Sequence, residues 1–166
     1  MTAHRLDELD ARLIAELRAQ PRVGLLEVSR RLGVARGTVQ ARLAKLEARG
    51  VITGHGPEID PSAMGYAITA FVLLELAQGR LREATEALEA VPEVLEADAI
   101  SGQHDLICRV VARDTEHLQE IFTAIHATGA IRRSTSSVVL SQVVRPRTAP
   151  LLDAAAAREP RDADRR

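Results

Sequence analysis

Apolar residues recur at helical spacing through the first fifty positions and at strand spacing through much of the remainder. Leu6, Leu9, Leu13, Ile14 and Leu17 share one face of a helix that Pro21 closes. In "LLEVSRRLG", Leu25, Val28 and Leu32 lie on one side of a shorter second helix, and Gly33 ends it as a residue that accepts a positive φ. A third helix is predicted over residues 35–48, stopped by Gly50. At about 100° per residue, Val39, Leu43 and Leu46 form one narrow apolar stripe on it. Ala35 stands where a Ser or Thr would cap this helix, so its start is weakly specified. Short helix, Gly turn, longer helix is the helix-turn-helix pattern.

Past Gly50 the period changes. "VITGHGPEI" is a brief β-prone segment suited to a wing or linker strand, and "DPSAMG" reads as one helical turn with Asp60 as N-cap and Gly65 at its end. Strand patterns follow over 67–77, 94–102, 105–113 and 133–144, and amphipathic helices over 81–91 and 114–127. Leu81, Ala84 and Leu88 face inward on the first of these helices, and Leu118, Ile121, Phe122 and Ile125 on the second. The order βαββαβ is the ferredoxin-like plan. The predicted class is therefore α+β. Residues 1–52 form a three-helix, winged helix-turn-helix domain, 53–66 a linker with a short strand and turn, and 67–145 a βαββαβ domain. Residues 146–166, with three prolines and an alanine run, are expected to be a flexible tail with a short helical stretch.

The strands are apolar on both faces. Ile68, Val72, Leu74 and Leu76 alternate with Phe71 and Leu73, and Val138, Leu140 and Val144 with Val139 and Val143. Two helices cover only one face of a four-stranded sheet, so the other face predicts a homodimer built sheet to sheet.

Charge changes the picture for the third helix. The 166-residue chain has a formal net charge of -1, yet residues 30–50 carry six basic side chains and one acidic. Small residues, Gly37, Ala41 and Ala44, occupy the face opposite the apolar stripe, with Arg36, Thr38, Gln40, Arg42, Lys45 and Arg49 on or around it. A helix entering the major groove needs small residues at closest approach and polar ones that reach base edges or phosphates. These six are the candidate DNA-binding residues: Arg36, Thr38 and Gln40 for bases, Arg42, Lys45 and Arg49 for phosphates or the flank of the groove. Aromatics make up 2% of the chain and Trp is absent, which excludes base stacking as the recognition mode. The single cysteine, Cys108, excludes an internal disulfide and reads as a small core residue, and the five histidines lack zinc-helix spacing. No metal, cofactor or membrane span is expected, and the expected location is the cytoplasm.

"LDELDARLIAELRAQPRVGLLEVSRRLGVARGTVQARLAKLEARGVITG", then "EIDPSAMGY", then "SGQHDLICRV" closely resemble the Lrp/AsnC, or feast/famine, family of transcription regulators over residues 6 to about 144. The resemblance implies a DNA-binding head joined to a ligand-responsive βαββαβ domain that dimerises and often assembles further, to tetramers or octamers. It also implies an effector, commonly an amino acid, bound near the connection of the second and third strands. Carried onto this chain, that points to Gly102 and Asp105 with the intervening His104, and to Ser136 on the last strand. Ala130 and Ile131 depart from the family pattern. By residue chemistry alone Gly102 permits a tight turn and Asp105 anchors it. Two other classes bear weighing: a ligand-sensing oligomer without DNA binding, and a small dimeric ferredoxin-like barrel enzyme. The second needs inward polar residues, and the strands supply mainly Val, Leu, Ile and Ala.

Overall fold

The structure, a computed structural model, describes residues 6–156. It divides into two compact units: the chain up to Pro57 together with the segment from Arg145, and Glu58–Val144.

In the first unit, α1 (Glu8–Ala19) opens on a capping box: the Asp7 carboxylate accepts the Asp10 N–H at 2.8 Å, and Asp10 accepts that of Asp7. α2 (Leu25–Leu32) ends at Gly33, whose φ of 70° is the left-handed geometry that glycine adopts without strain. α3 (Arg36–Ala48) starts at Ala35 with no side-chain cap, as its sequence predicts. Leu13, Ile14, Val28, Leu32, Val39 and Leu46 form the buried core where the three helices meet, and Leu43 packs at its edge. Each such aliphatic side chain contributes about 1.5–3 kcal/mol when fully buried.

Two expectations for this unit are corrected. There is no wing strand: residues 53–60 are exposed and irregular, while Val51 and Ile52 turn back onto the helical core. Both donate backbone N–H groups to the Leu46 carbonyl, at 2.9 and 3.3 Å, so they extend the end of α3 rather than start a strand. The tail has the short helical stretch expected of it, α6 (Ala149–Ala156), but docked rather than free: its Leu152 packs against the same core. Residues 157–166 of that tail lie outside the described set.

The second unit begins with a 3-10 turn, Pro61–Met64, capped by Asp60 and closed by Gly65 at φ 94°. There follow β1 (Ile68–Leu76), α4 (Leu81–Glu89), β2 (Val94–Ala99), β3 (Leu106–Ala112), α5 (Thr115–His126) and β4 (Ile131–Val138). The sheet is antiparallel with order β2-β3-β1-β4, the ferredoxin-like arrangement. Asp114 caps α5 by accepting the His117 N–H at 2.8 Å. Ala70, Val72, Leu74, Leu106, Cys108 and Val110 face Ala84, Leu88, Leu118, Ile121 and Ile125 in one aliphatic core. Leu81, expected inward, is 53% exposed; Ala87 takes the inward role on α4. Burial, with the Asp98 charge second, pushes the Cys108 thiol up to about 11, so it stays a neutral core group.

The opposite sheet face also differs from expectation. β4 ends at Val138, and Leu140, Val143 and Val144 lie beyond it, exposed. The register pairs Phe71 with Ser137, Leu73 with Thr135 and Glu75 with Arg133, so β4 gives this face polar side chains. Its apolar part is Phe71 and Leu73 with Ile107 of β3, beside Arg109.

Candidate functional site

α3 presents two faces. Val39 and Leu46 are sealed in the core and Leu43 is half-buried, while Arg36, Gly37, Thr38, Gln40, Ala41, Ala44, Lys45 and Arg49 are exposed. The exposed side is thus small along the middle and cationic or hydrogen-bonding at the margins. Among the described residues, Arg36, Thr38, Gln40, Lys45 and Arg49 make no side-chain hydrogen bond or ion pair, leaving their donors available.

Arg42 is different. Its Nη1 donates to the Asp7 carboxylate and to Asp10 Oδ1, the latter at 2.7 Å. Asp10 is 6% exposed, so the guanidinium neutralises a carboxylate that the fold has removed from water. Arg42 therefore ties α3 to the capping box of α1, and its charge is already matched. A phosphate would have to compete with these two carboxylates for Arg42. The Asp-x-x-Asp spacing of residues 7 and 10 was the available signal, because it marks the capping box that Arg42 reaches.

Burial alone would raise the Asp7 carboxyl, but the Arg42 hydrogen bond, the Asp10 N–H and the Arg42 charge outweigh it and hold it below its ordinary 3.8. The same contacts raise Arg42. A carboxyl depressed by folding stabilises above its unfolded pKa and loses that contribution as pH falls through the folded value. The helical unit is thus expected to weaken in acid, beginning near pH 3.8 and continuing below it. Thermal denaturation from about pH 6 to about pH 3 checks this, and Asp7→Asn should flatten the slope.

The second candidate set surrounds the β2–β3 connection. Gly102 has φ 127°, a conformation that side-chain-bearing residues rarely adopt, so the turn requires glycine. Asp105 is an anchor: its Oδ2 accepts the Leu76 N–H at 2.7 Å, and its own N–H donates to the Leu74 carbonyl at 2.9 Å. These bonds pin the turn to the end of β1. His104 is half-buried beside it. Ser136 is not brought to this turn within one chain. It pairs with Val72 on the far side of β1, which puts it two strand spacings, about 10 Å, from the line of β3.

One pair of polar contacts escaped the sequence reading. His117, 8% exposed, accepts the Arg113 N–H through Nδ1 at 3.2 Å and sets Nε2 3.4 Å from Glu93. The ring is satisfied on both sides and braces the start of α5. No sequence spacing signals it, since Glu93 lies far along the chain in the turn before β2.

Comparison with known proteins assigns both units. Residues 6–47 match the AsnC-type helix-turn-helix domain, and residues 69–149 match the Lrp/AsnC ligand binding domain. The chain is 30% identical over 135 residues to the HTH-type transcriptional regulator FL11 of Pyrococcus horikoshii, covering 81% of this chain and 89% of that protein. Its structure is similar to that of E. coli AsnC, with a TM-score of 0.80 and 25% identity over 89% of this chain and all of that one. It is also similar to a feast or famine regulatory protein of M. tuberculosis complexed with L-methionine, with a TM-score of 0.75 and 28% identity over 85% and 96% of the two chains. A three-helix head with an open basic recognition helix, and a βαββαβ domain with a pinned turn, are here the two parts of one regulator: the chain belongs to the Lrp/AsnC family of transcriptional regulators.

Proposed function

We propose that this chain binds double-stranded DNA as a homodimer, reading the major groove with α3, and that a small molecule, an amino acid, acting at the second unit adjusts that binding. The observation that carries the reading is the exposed side of α3. There Arg36, Thr38, Gln40, Lys45 and Arg49, unpaired among the described residues, surround Gly37, Ala41 and Ala44. Arginine forks onto guanine O6 and N7 and glutamine onto adenine N6 and N7, so Arg36, Thr38 and Gln40 are the base readers. Lys45 and Arg49 take phosphates, which fix position without reading sequence. Arg42 supports the helix from behind.

Dimerisation through the outer sheet face supplies the second head. Phe71, Leu73 and Ile107 form the centre of that contact, and the polar β4 side chains form its rim. Such dimers then build larger assemblies. The effector contacts Gly102 and His104, on a turn whose shape Asp105 maintains. Ser136 would reach the same ligand only from a neighbouring subunit. The ligand controls DNA binding to the extent that it binds one assembly better than another. This places the protein with the chromosome in the cytoplasm and gives it no catalytic role.

Fluorescence anisotropy with the DNA upstream of the protein's own gene, against a shuffled duplex, tests the reading. Preference for the upstream DNA, shifted by a pool of the twenty amino acids, is expected. Equal affinity for both duplexes, unmoved by the pool, would overturn it.

A further inference from the structure

Among its described residues the first unit packs a fourth helix, α6, onto the three of the helix-turn-helix head. Thr148 precedes α6, its carbonyl accepting the Leu151 N–H at 3.0 Å, and Pro150 lies in the first turn, where its missing N–H costs nothing. Leu152 lies against the core formed by Leu13, Val28 and Leu46, while Leu151 is 68% exposed. Arg18, near the end of α1, donates from Nη1 to Thr148 Oγ1 at 2.7 Å, fixing the start of α6 to α1. The matched helix-turn-helix region stops at residue 47, so this docking is a contribution of the C-terminal segment.

Chain connectivity gives the docked helix a consequence. The chain leaves the helical unit at Pro57 and re-enters it at Arg145. A unit held by one strand of chain swivels about it; a unit held by two is restricted to orientations that both allow. Ten residues, 139–148, join the end of β4 to the start of α6, and even fully extended they span at most about 35 Å. We infer that α6 is a clasp: docked on α1, it makes a second tether on the DNA-reading head and so fixes the half-site spacing at which a dimer binds. α6 packs on α1 and leaves the basic side of α3 exposed, so the clasp does not block it.

The spacing consequence rests on the DNA-binding reading above; the docking does not. The test uses the full chain with Leu152→Asp, and Arg18→Ala as a milder variant. Hydrogen exchange is expected to quicken through α1 by roughly tenfold in Leu152→Asp, and by less in Arg18→Ala, with β1 and β3 unchanged. Unchanged α1 exchange in both variants overturns the clasp. On duplexes with two half-sites, wild type should favour spacings one helical turn apart over half-turn offsets by about tenfold or more. Leu152→Asp should reduce that to about threefold or less while single half-site affinity holds. Loosened α1 with wild-type spacing preference overturns the tether. If wild type bound no DNA, the DNA-binding reading would fail, and exchange would still decide the docking.

Discussion

Replacing Arg42 with Ala is expected to destabilise the helical unit by about 1–3 kcal/mol, the range for breaking a pair in which one partner is buried and the other partly exposed. The effect has two sources. The Asp10 carboxylate keeps its burial at 6% exposure but no longer has the donor 2.7 Å away that compensated it. The capping box of α1 loses the cation whose hydrogen bond and charge stabilise the Asp7 carboxylate. The discount from a fully buried pair is warranted because the Arg42 side chain is 30% exposed and that of Asp7 46%, which lets water take over part of the interaction. Arg42→Lys should recover part of the stability, since an ammonium supplies the charge at the same place. Urea denaturation followed through α1 amide exchange measures this, because two units can unfold separately and a whole-chain signal would mix them. Wild-type stability combined with a shallower salt dependence of DNA binding would return Arg42 to the phosphates.

A charge on the outer sheet face should have an effect as large, on assembly rather than on folding. Leu73 pairs with Ile107 and Thr135 and alternates with Val72 and Leu74, which are fully buried on the helix side. Leu73→Asp therefore leaves the core untouched and places a carboxylate among Phe71 and Ile107. Desolvating an unpaired carboxylate in an apolar interface costs several kcal/mol, enough to turn a dimer into a monomer at about micromolar concentration. DNA affinity should then fall on the order of 10²-fold, because the second head no longer binds as part of the same molecule. Sedimentation and anisotropy read the two effects. A dimer that survives Leu73→Asp would move the interface elsewhere.

Much of this was legible in the chain, for a physical reason. Helix faces follow from a local repeat, so the stripe of Val39, Leu43 and Leu46 identified the buried side of α3. Turns that require one residue type also declare themselves, as at Gly33 and Gly102. What failed was whatever depended on a distant partner. "VVLSQVV" has strand propensity to residue 144, but β1 gives β4 a neighbour only as far as Ala70, and after the Val139 N–H to Thr69 bond the ladder stops. "VITGHGPEI" likewise has the composition of a strand and nothing to pair with. Arg42 and Lys45 look alike in sequence; Asp7 and Asp10, some thirty residues earlier, separate them. The family resemblance singled out the Gly102–Asp105 turn and residue chemistry made Asp105 its anchor, but no pattern names Leu76 as the residue it holds.

The central claim, that the open side of α3 lies in a groove lined by phosphates, is tested most directly by one comparison. Affinity for a single duplex is measured across a salt series for wild type and for the protein carrying Lys45→Ala and Arg49→Ala together. Each phosphate that a basic side chain no longer neutralises lowers the slope of log affinity against log salt by about 0.9, so the double variant should show a slope shallower by about two and weaker binding to every sequence. An unchanged slope, with affinity intact, would mean that this side of α3 does not face DNA.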